Sequence, residues 1–439
     1  MKWDLEWRLA ERREMVQWPY ARIEAMMNER LRALVDYAWN DIPFYRKRWE
    51  AAGLVPADFQ KNADLARFPM VTKEELVAGA ADWMRLTRGY AGLCTKGTTG
   101  MPLVMWLDRE DLEMPHPGVI MGFEQSGMRA GTNVLLLNPA WHRMSGQEVY
   151  AARYLGARPV FAAGSVLEPG FADSFLAAIA RFRPDYVVAP TPFVLSLLKG
   201  LEEQGRNPRD AFAGVRVLMI LGLPVTPGLR EMMRVKTGVE AVWDRGGSTE
   251  GLAMDECPLL HTQHIYEDTV YAEIVDERGV PVPDGTRGVL VFSKLNRSPS
   301  PMVRYYSGDV AVMGEGPCAC GHSMRRLQLL GRLESGLNVG GKYILAYDVR
   351  LCVDADPELV GRNVVLVREA PGWRGVQSQA AQRLQIIVEG DPVNEAPLLS
   401  RLHAALGLAD VQVLWSGSAR LQWSYRQVFD SSELPFLKA

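Results

Sequence analysis

Apolar residues recur at helical spacing through the first 90 residues. Leu31, Leu34, Val35 and Ala38 line one face of a predicted helix, and Thr72-Lys73-Glu74-Glu75 carries the hydroxyl-then-acid pattern of a helix start. From about 91 to 260 the pattern changes to short apolar runs, Val134–Leu137, Pro159–Ala162, Tyr186–Ala189 and Val215–Leu221, alternating with helix-length stretches such as Phe175–Arg183. That alternation predicts a mostly parallel sheet with covering helices. Between 270 and 313 the reading becomes strand, turn, strand, with Pro283-Asp284-Gly285 between Tyr271–Val275 and Val289–Phe292, as in an antiparallel pair. After Gly331-Arg332 come strand candidates Val364–Val367 and Leu384–Val388 and a helix candidate at Leu398–Leu406, enough for a small α+β domain. The expected fold class is therefore α/β. Residues 1–331 form a large N-terminal domain of mixed sheets and helices, with 1–90 as a helical lead-in, and residues 332–439 form a small C-terminal domain.

Composition changes this picture little. At 439 residues the chain exceeds the size at which one core stops growing. Its 48% hydrophobic and 23% charged residues are those of an ordinary globular protein. A net charge of -3 lacks the basic excess that nucleic acid requires, so a small molecule is the expected partner. No run approaches the roughly 20 apolar residues of a membrane span, and MKWDLEWRLAERREM is charged where a signal peptide is apolar. A cytoplasmic protein, compatible with a homodimer, is the expectation. The five cysteines, few for this length, suit metal or packing roles better than disulfides in a reducing compartment.

Two constellations carry chemistry. Cys94-Thr95-Lys96-Gly97-Thr98-Thr99-Gly100-Met101-Pro102 is a loop whose glycines allow close approach and whose hydroxyls and N–H groups can donate to phosphate oxygens. On its own the pattern equally describes an ordinary Gly/Thr turn. Cys257, His264, Cys318 and Cys320, in ECPLLHTQH and CACGH, are the thiolate and imidazole ligands that zinc selects, and four of them close a tetrahedral structural site. His261 and His322 are alternative ligands, and from spacing alone four unrelated side chains remain an alternative.

The order of further blocks resembles the phenylacetate-CoA ligase family of adenylate-forming enzymes. RLRALVDYAWNDIPFYRKRWEAAGLVPADF and LARFPMVTKEEL are similar to its N-terminal helices and linker. The phosphate loop follows, then GGSTEGLAMDEC, HIYEDTVYAEIVDERGVPVPDGTRGVLVFSKL, VRYYSGD, CACGH and LGRLESGLNVGG in the family's order, as far as about residue 350. The resemblance implies an ATP-dependent, AMP-forming ligase that activates an aryl or related carboxylic acid for transfer to CoA or another acceptor. It implies nucleotide contacts from Thr95, Gly97, Thr98, Thr99, Gly100 and Gly222. Asp309 would bind the ribose hydroxyls, Thr249 the α-phosphate, and Glu250 Mg2+ near the phosphates. Arg332 would contact ribose or phosphate, and Glu334 would mark the pivot of a mobile C-terminal domain that serves two half-reactions. His142 falls where the family places an aromatic or histidine residue between the acyl pocket and the thiol tunnel, although read alone it is equally a structural histidine. Trp141, Met144 and Trp243 could line an aryl pocket or simply pack a core. The resemblance also supports a zinc ligand set of Cys257, His264, Cys318 and Cys320.

Several positions depart from the family. Aligning Val428-Phe429-Asp430 with its terminal block puts Ser424 where its catalytic lysine stands. Met101 replaces a loop lysine, Gly340 an arginine, Gly246 an aromatic residue, and Leu221-Gly222-Leu223-Pro224 lacks a glutamate. Lys342 and Lys96 are candidate substitutes for the missing charge. These losses motivate two alternatives. One is a divergent ATP-dependent tailoring enzyme of secondary metabolism that forms an amide or N–N bond. The other is an ATP-independent binding protein on the same scaffold.

Overall fold

The computed structural model describes residues 5–95, 102–109, 116–137, 143–162, 170–368, 381, 383–417, 421, 423, 424, 426–430, 433 and 434. They form two compact units. The first comprises Met1–Phe161, Arg245–Ser307 and Ala311–Leu329, and the second Ala162–Asp244, Gly308–Val310 and Leu330–Ala439. The segment 332–439 thus shares a compact unit with Ala162–Asp244. No helix among the described residues is long and apolar enough to cross a membrane.

In the first unit the helix Tyr20–Asp41 buries Leu31, Leu34, Val35 and Ala38, the face its periodicity requires. Thr72 caps the helix Lys73–Ala78. Its Oγ1 accepts from the Glu75 N–H at 3.3 Å, and Glu75 accepts from the Thr72 N–H at 2.9 Å. Tyr45 packs tilted on Trp49 and Trp49 meets Phe68 edge to face, and the Tyr45 hydroxyl and Trp83 indole both donate to the Pro301 carbonyl, at 3.0 and 2.7 Å. These contacts seat the helical lead-in on a six-stranded sheet, ordered Val270–Val275, Arg287–Lys294, Tyr305–Met313, Arg326–Arg332, Gln263–Ile265 and Met254–Glu256. The first two strands are antiparallel, as their turn residues predict. Asn133–Leu136 and Arg158–Phe161 pair in parallel.

Arg304 fastens the lead-in to this sheet. Its guanidinium donates to the Ala66, Phe68 and Gly279 carbonyls at 2.7–3.1 Å and to both Glu273 oxygens at 3.2 Å. Those contacts hold its backbone at φ +49°, an uncommon value for a residue with a Cβ. Truncating one partner of a buried pair strands the other, so Arg304→Met is expected to lower unfolding free energy by about 3–5 kcal/mol in chemical denaturation. Burial already pushes the Glu273 carboxyl up even with Arg304 beside it. A raised carboxyl binds a proton more readily folded than unfolded. The variant should therefore lose further stability as pH rises above the ordinary glutamate value of about 4.3. A variant as stable as the parent would remove this role from Arg304.

In the second unit Tyr186–Pro190 and Val217–Leu221 are parallel neighbours. The C-terminal segment forms its own four-stranded sheet, ordered Val411–Trp415, Leu384–Val388, Val364–Arg368 and Val428–Asp430, with an antiparallel pair at its centre and a parallel pair on each side. The helices Ala346–Val353 and Ala396–Leu406 bury Val349, Val353, Leu398 and Leu402 with Leu366 and Ile386 of this sheet. The expected strands and helix lie within these elements.

Candidate functional site

In the second unit, Asp309 stands on the strand Tyr305–Met313 and accepts from Arg332 Nη1 at 3.1 Å. The guanidinium is about half exposed, and an ion pair at that exposure contributes only ~0–1 kcal/mol, so either partner can exchange it for a ligand oxygen at small cost. Glu334 follows in the short turn Leu333–Ser335. The next hairpin, Gly336–Val339 with Lys342–Leu345, is closed by Gly340 and Gly341 at φ +56° and +80°. A two-residue turn with both angles positive favours glycine, so the arginine that the resemblance expects at Gly340 is disfavoured by backbone geometry. Lys342 is committed elsewhere. Its Nζ donates to the Leu406 and Gly407 carbonyls at 3.2 and 2.8 Å, at the negative end of the helix Ala396–Leu406. Gly222 is exposed just past the carboxyl end of Val217–Leu221, where open α/β sheets bind ligands.

In the first unit, Gly247 bridges Ala253, and Ser248 N–H donates to the Leu252 carbonyl at 3.0 Å, placing Thr249 and Glu250 at the tip of a tight turn. The buried Ser248 hydroxyl has no hydrogen-bond partner among the described residues. A Cβ on Gly246 would meet Met254 Cε at 2.7 Å, so a larger residue there requires the Met254 side chain to shift. Thr95 follows the strand Ala91–Cys94. Its N–H donates to the Leu103 carbonyl at 2.9 Å and its hydroxyl accepts from the Leu103 N–H at 3.0 Å. Lys96, Gly97, Thr98, Thr99, Gly100, Met101, Trp141 and His142 lie outside the described residues, as does the side chain of Met144. Trp243 is half-buried on the strand Ala241–Arg245.

The cysteine and histidine candidates converge within this unit. Cys257 follows the strand Met254–Glu256, His264 lies on its neighbour Gln263–Ile265, and Cys318 and Cys320 lie in the connection to Arg326–Arg332. Their ligand atoms all lie within 4.8 Å of one another. Cys257 Sγ is 3.5 Å from Cys318 Sγ, and Cys320 Sγ is 3.3 Å from His264 Nε2. The other His264 nitrogen, Nδ1, meets the Met324 carbonyl at 2.9 Å, a contact that fixes the tautomer and leaves Nε2 facing the thiols. His261 instead turns an exposed ring toward Glu256 at 3.2 Å, and His322 stacks on His264 at 4.3 Å. Burial pushes the Cys320 thiol up to about 12 and the His322 imidazole down to about 3, whereas hydrogen bonds from Cys320 and Cys257 outweigh burial at Cys318 and lower its thiol. Three sulfur donors and one nitrogen can complete a four-coordinate soft site.

Beside the cluster lies a charged network that no motif announced. Arg12 forms a buried ion pair with Asp268 and lies 4.2 Å over the Tyr266 ring, which stacks on His116 at 4.6 Å. Burial opposes ionisation of Asp268, yet Arg12 and His116 outweigh it and hold the carboxyl well below the usual range. Tyr266 and Asp268 share one segment, but Arg12 and His116 come from remote ones, without a shared spacing to read.

Comparison with known proteins places these features in one family. Residues 94–306 match the AMP-binding enzyme family. The chain is 28% identical to the phenylacetate-coenzyme A ligase of Thermus thermophilus over 81% of its own length and 80% of that protein. It is 29% identical to the phenylacetate-coenzyme A ligase of Aromatoleum evansii over 79% and 78%. The crystal structure of 2-hydroxyisobutyryl-CoA ligase in the postadenylation state superposes with a TM-score of 0.78 at 22% identity, covering 96% of this chain and 94% of that one. With matched blocks, relatives over most of the length and a shared fold across nearly all of it, the chain is similar to adenylate-forming enzymes, matching the AMP-binding enzyme family over residues 94–306 and phenylacetate-coenzyme A ligases at 28–29% identity over 79–81% of its length.

Proposed function

We propose that this chain activates a carboxylic acid with ATP and passes the acyl group to CoA. The observation that carries the reading is the Asp309–Arg332 pair, a carboxylate and a guanidinium 3.1 Å apart on the residues expected to meet ribose and phosphate. CoA ligases among the relatives favour thioester formation over an amide or N–N bond, and over binding without ATP. An aryl acid is the proposed substrate, by likeness to phenylacetate ligases. Glu250 and the neighbouring Ser248 hydroxyl suit Mg2+, which prefers oxygen ligands. When bound, Mg2+ would neutralise phosphate charge. Thr249 would donate to the α-phosphate, Asp309 would accept from the ribose hydroxyls, and Arg332 would orient the nucleotide.

The charge contributed by the C-terminal segment is reduced. Ser424 Oγ donates to the Arg426 carbonyl at 2.8 Å and accepts from its N–H at 3.2 Å, closing a local turn. The Arg426 side chain is engaged by Glu433 at 2.8 Å and by the Val428 carbonyl at 2.9 Å. We infer slow adenylation relative to a lysine-bearing enzyme. The cysteine–histidine cluster is proposed to hold one structural Zn2+ through Cys257, His264, Cys318 and Cys320, leaving no coordination position for an activated water. Gathered free thiols also suit the reducing, cytoplasmic location proposed for the chain.

The test is pyrophosphate release across a panel of carboxylic acids, with and without CoA. Acid-dependent release and CoA-dependent thioester are expected. Asp309→Asn should raise the nucleotide Kd about tenfold or more, since hydrogen bonds to a charged group contribute ~1.5–3 kcal/mol. Nucleotide-dependent thermal stabilisation reads that change directly. No release with any acid, together with no stabilisation by ATP, would end the ligase reading.

A further inference from the structure

We propose that Thr226, Gly228 and Asp354 form a releasable latch that holds the segment beyond the 332–334 pivot in one of the orientations it uses; this rests on the two-step ligase reading above. The contact is closely built. Thr226 Oγ1 donates to Asp354 Oδ2 at 2.8 Å, and both residues are buried. Gly228, in the first turn of the helix Pro227–Thr237, sits against the Asp354 backbone carbonyl so closely that a methyl group would overlap it. Met232 of the same helix reaches Gly361. Further along, Lys199 of the helix Thr191–Glu203 pairs with Glu389.

Release is possible because each partner keeps a second set of contacts on its own side. Thr226 Oγ1 also accepts from the Leu229 N–H at 3.1 Å, capping its helix. Asp354 is held by Arg350 at 2.9 and 3.1 Å, and Arg350 in turn lies 4.6 Å over Trp423. Lys199 has Glu203 at 3.9 Å, and Glu389 accepts from the Leu421 N–H at 3.0 Å. Parting the two surfaces therefore leaves each of these polar groups a hydrogen-bond or charge partner on its own side, which lessens the penalty that makes most buried ion pairs costly to open. A ligand or step that favours one orientation then has only a small set of contacts to overcome.

Gly228→Ala tests the latch because its local and tertiary effects oppose each other. Alanine forms helix better than glycine, yet its Cβ wedges the docked surface apart. The full chain would be compared as wild type, Gly228→Ala, Thr226→Val and Thr226→Ser, with trypsin cleavage at Arg332 as a reading of the pivot. Acid-dependent pyrophosphate exchange and thioester formation would be measured separately with phenylacetate, ATP and CoA. Gly228→Ala and Thr226→Val are expected to cleave about tenfold faster and to change the ratio of the two half-reactions by about the same factor, while Thr226→Ser behaves as wild type. Wild-type cleavage in both variants with cooperative melts, or an equal fall in both half-reactions, would overturn the latch. Should Gly228→Ala fail to fold, the Thr226→Val and Thr226→Ser pair decides. Wild type without either half-reaction would count against the ligase reading alone, and the cleavage ratios would still judge the latch.

Discussion

Protein purified without added metal is expected to contain about one zinc per chain, and Cys257→Ser or Cys318→Ser to lose both the metal and much of the fold's stability. The four ligands come from the end of one strand, its paired neighbour and the connection after Met313, so one ion would fasten segments that are distant in sequence. A metal that binds only the folded chain stabilises it by mass action, about 4 kcal/mol at a thousandfold its dissociation constant. Chelator should therefore shift the denaturation midpoint by a large amount. His261→Ala and His322→Ala should keep the metal, because neither residue joins the cluster. Cobalt substitution would report thiolate coordination directly. Complete folding with no metal by elemental analysis would sink the proposal.

Ser424→Lys is expected to raise acid-dependent pyrophosphate exchange by about 10²–10³-fold, the usual effect of one preorganised charged contact. A carboxylate attacking the α-phosphate brings two anions together, and fixed cations lower that barrier. Mg2+ would supply part of the charge. At the aligned position this chain offers only a hydroxyl closing a turn, while Lys342 caps a helix and Arg426 is paired with Glu433. Strong exchange by the wild type with no gain in the lysine variant would show that another residue already serves, and Lys96 would be the first to replace.

The sequence by itself determined features with a short physical period. Side chains three and four residues apart share a helix face, which is why Leu31, Leu34, Val35 and Ala38 could be placed together, and why Thr72 and Glu75 read as a reciprocal cap. The Pro283-Asp284-Gly285 turn and its flanking strands were legible for the same local reason, and the ordered blocks identified the family. Only tertiary structure decided matters that depend on register and direction. Three histidines lie near the cysteines in sequence, but strand pairing and the Met324 carbonyl select His264. The Met254 and Gln263 side chains lie close to Gly246, and the turn angles disfavour a larger residue at Gly340, packing and backbone geometry that sequence does not display. Arg12 and Asp268 pair across 256 positions, and Gly228 meets a carbonyl of residue 354; contacts at such separation have no sequence period, because the folding of everything between them sets their approach.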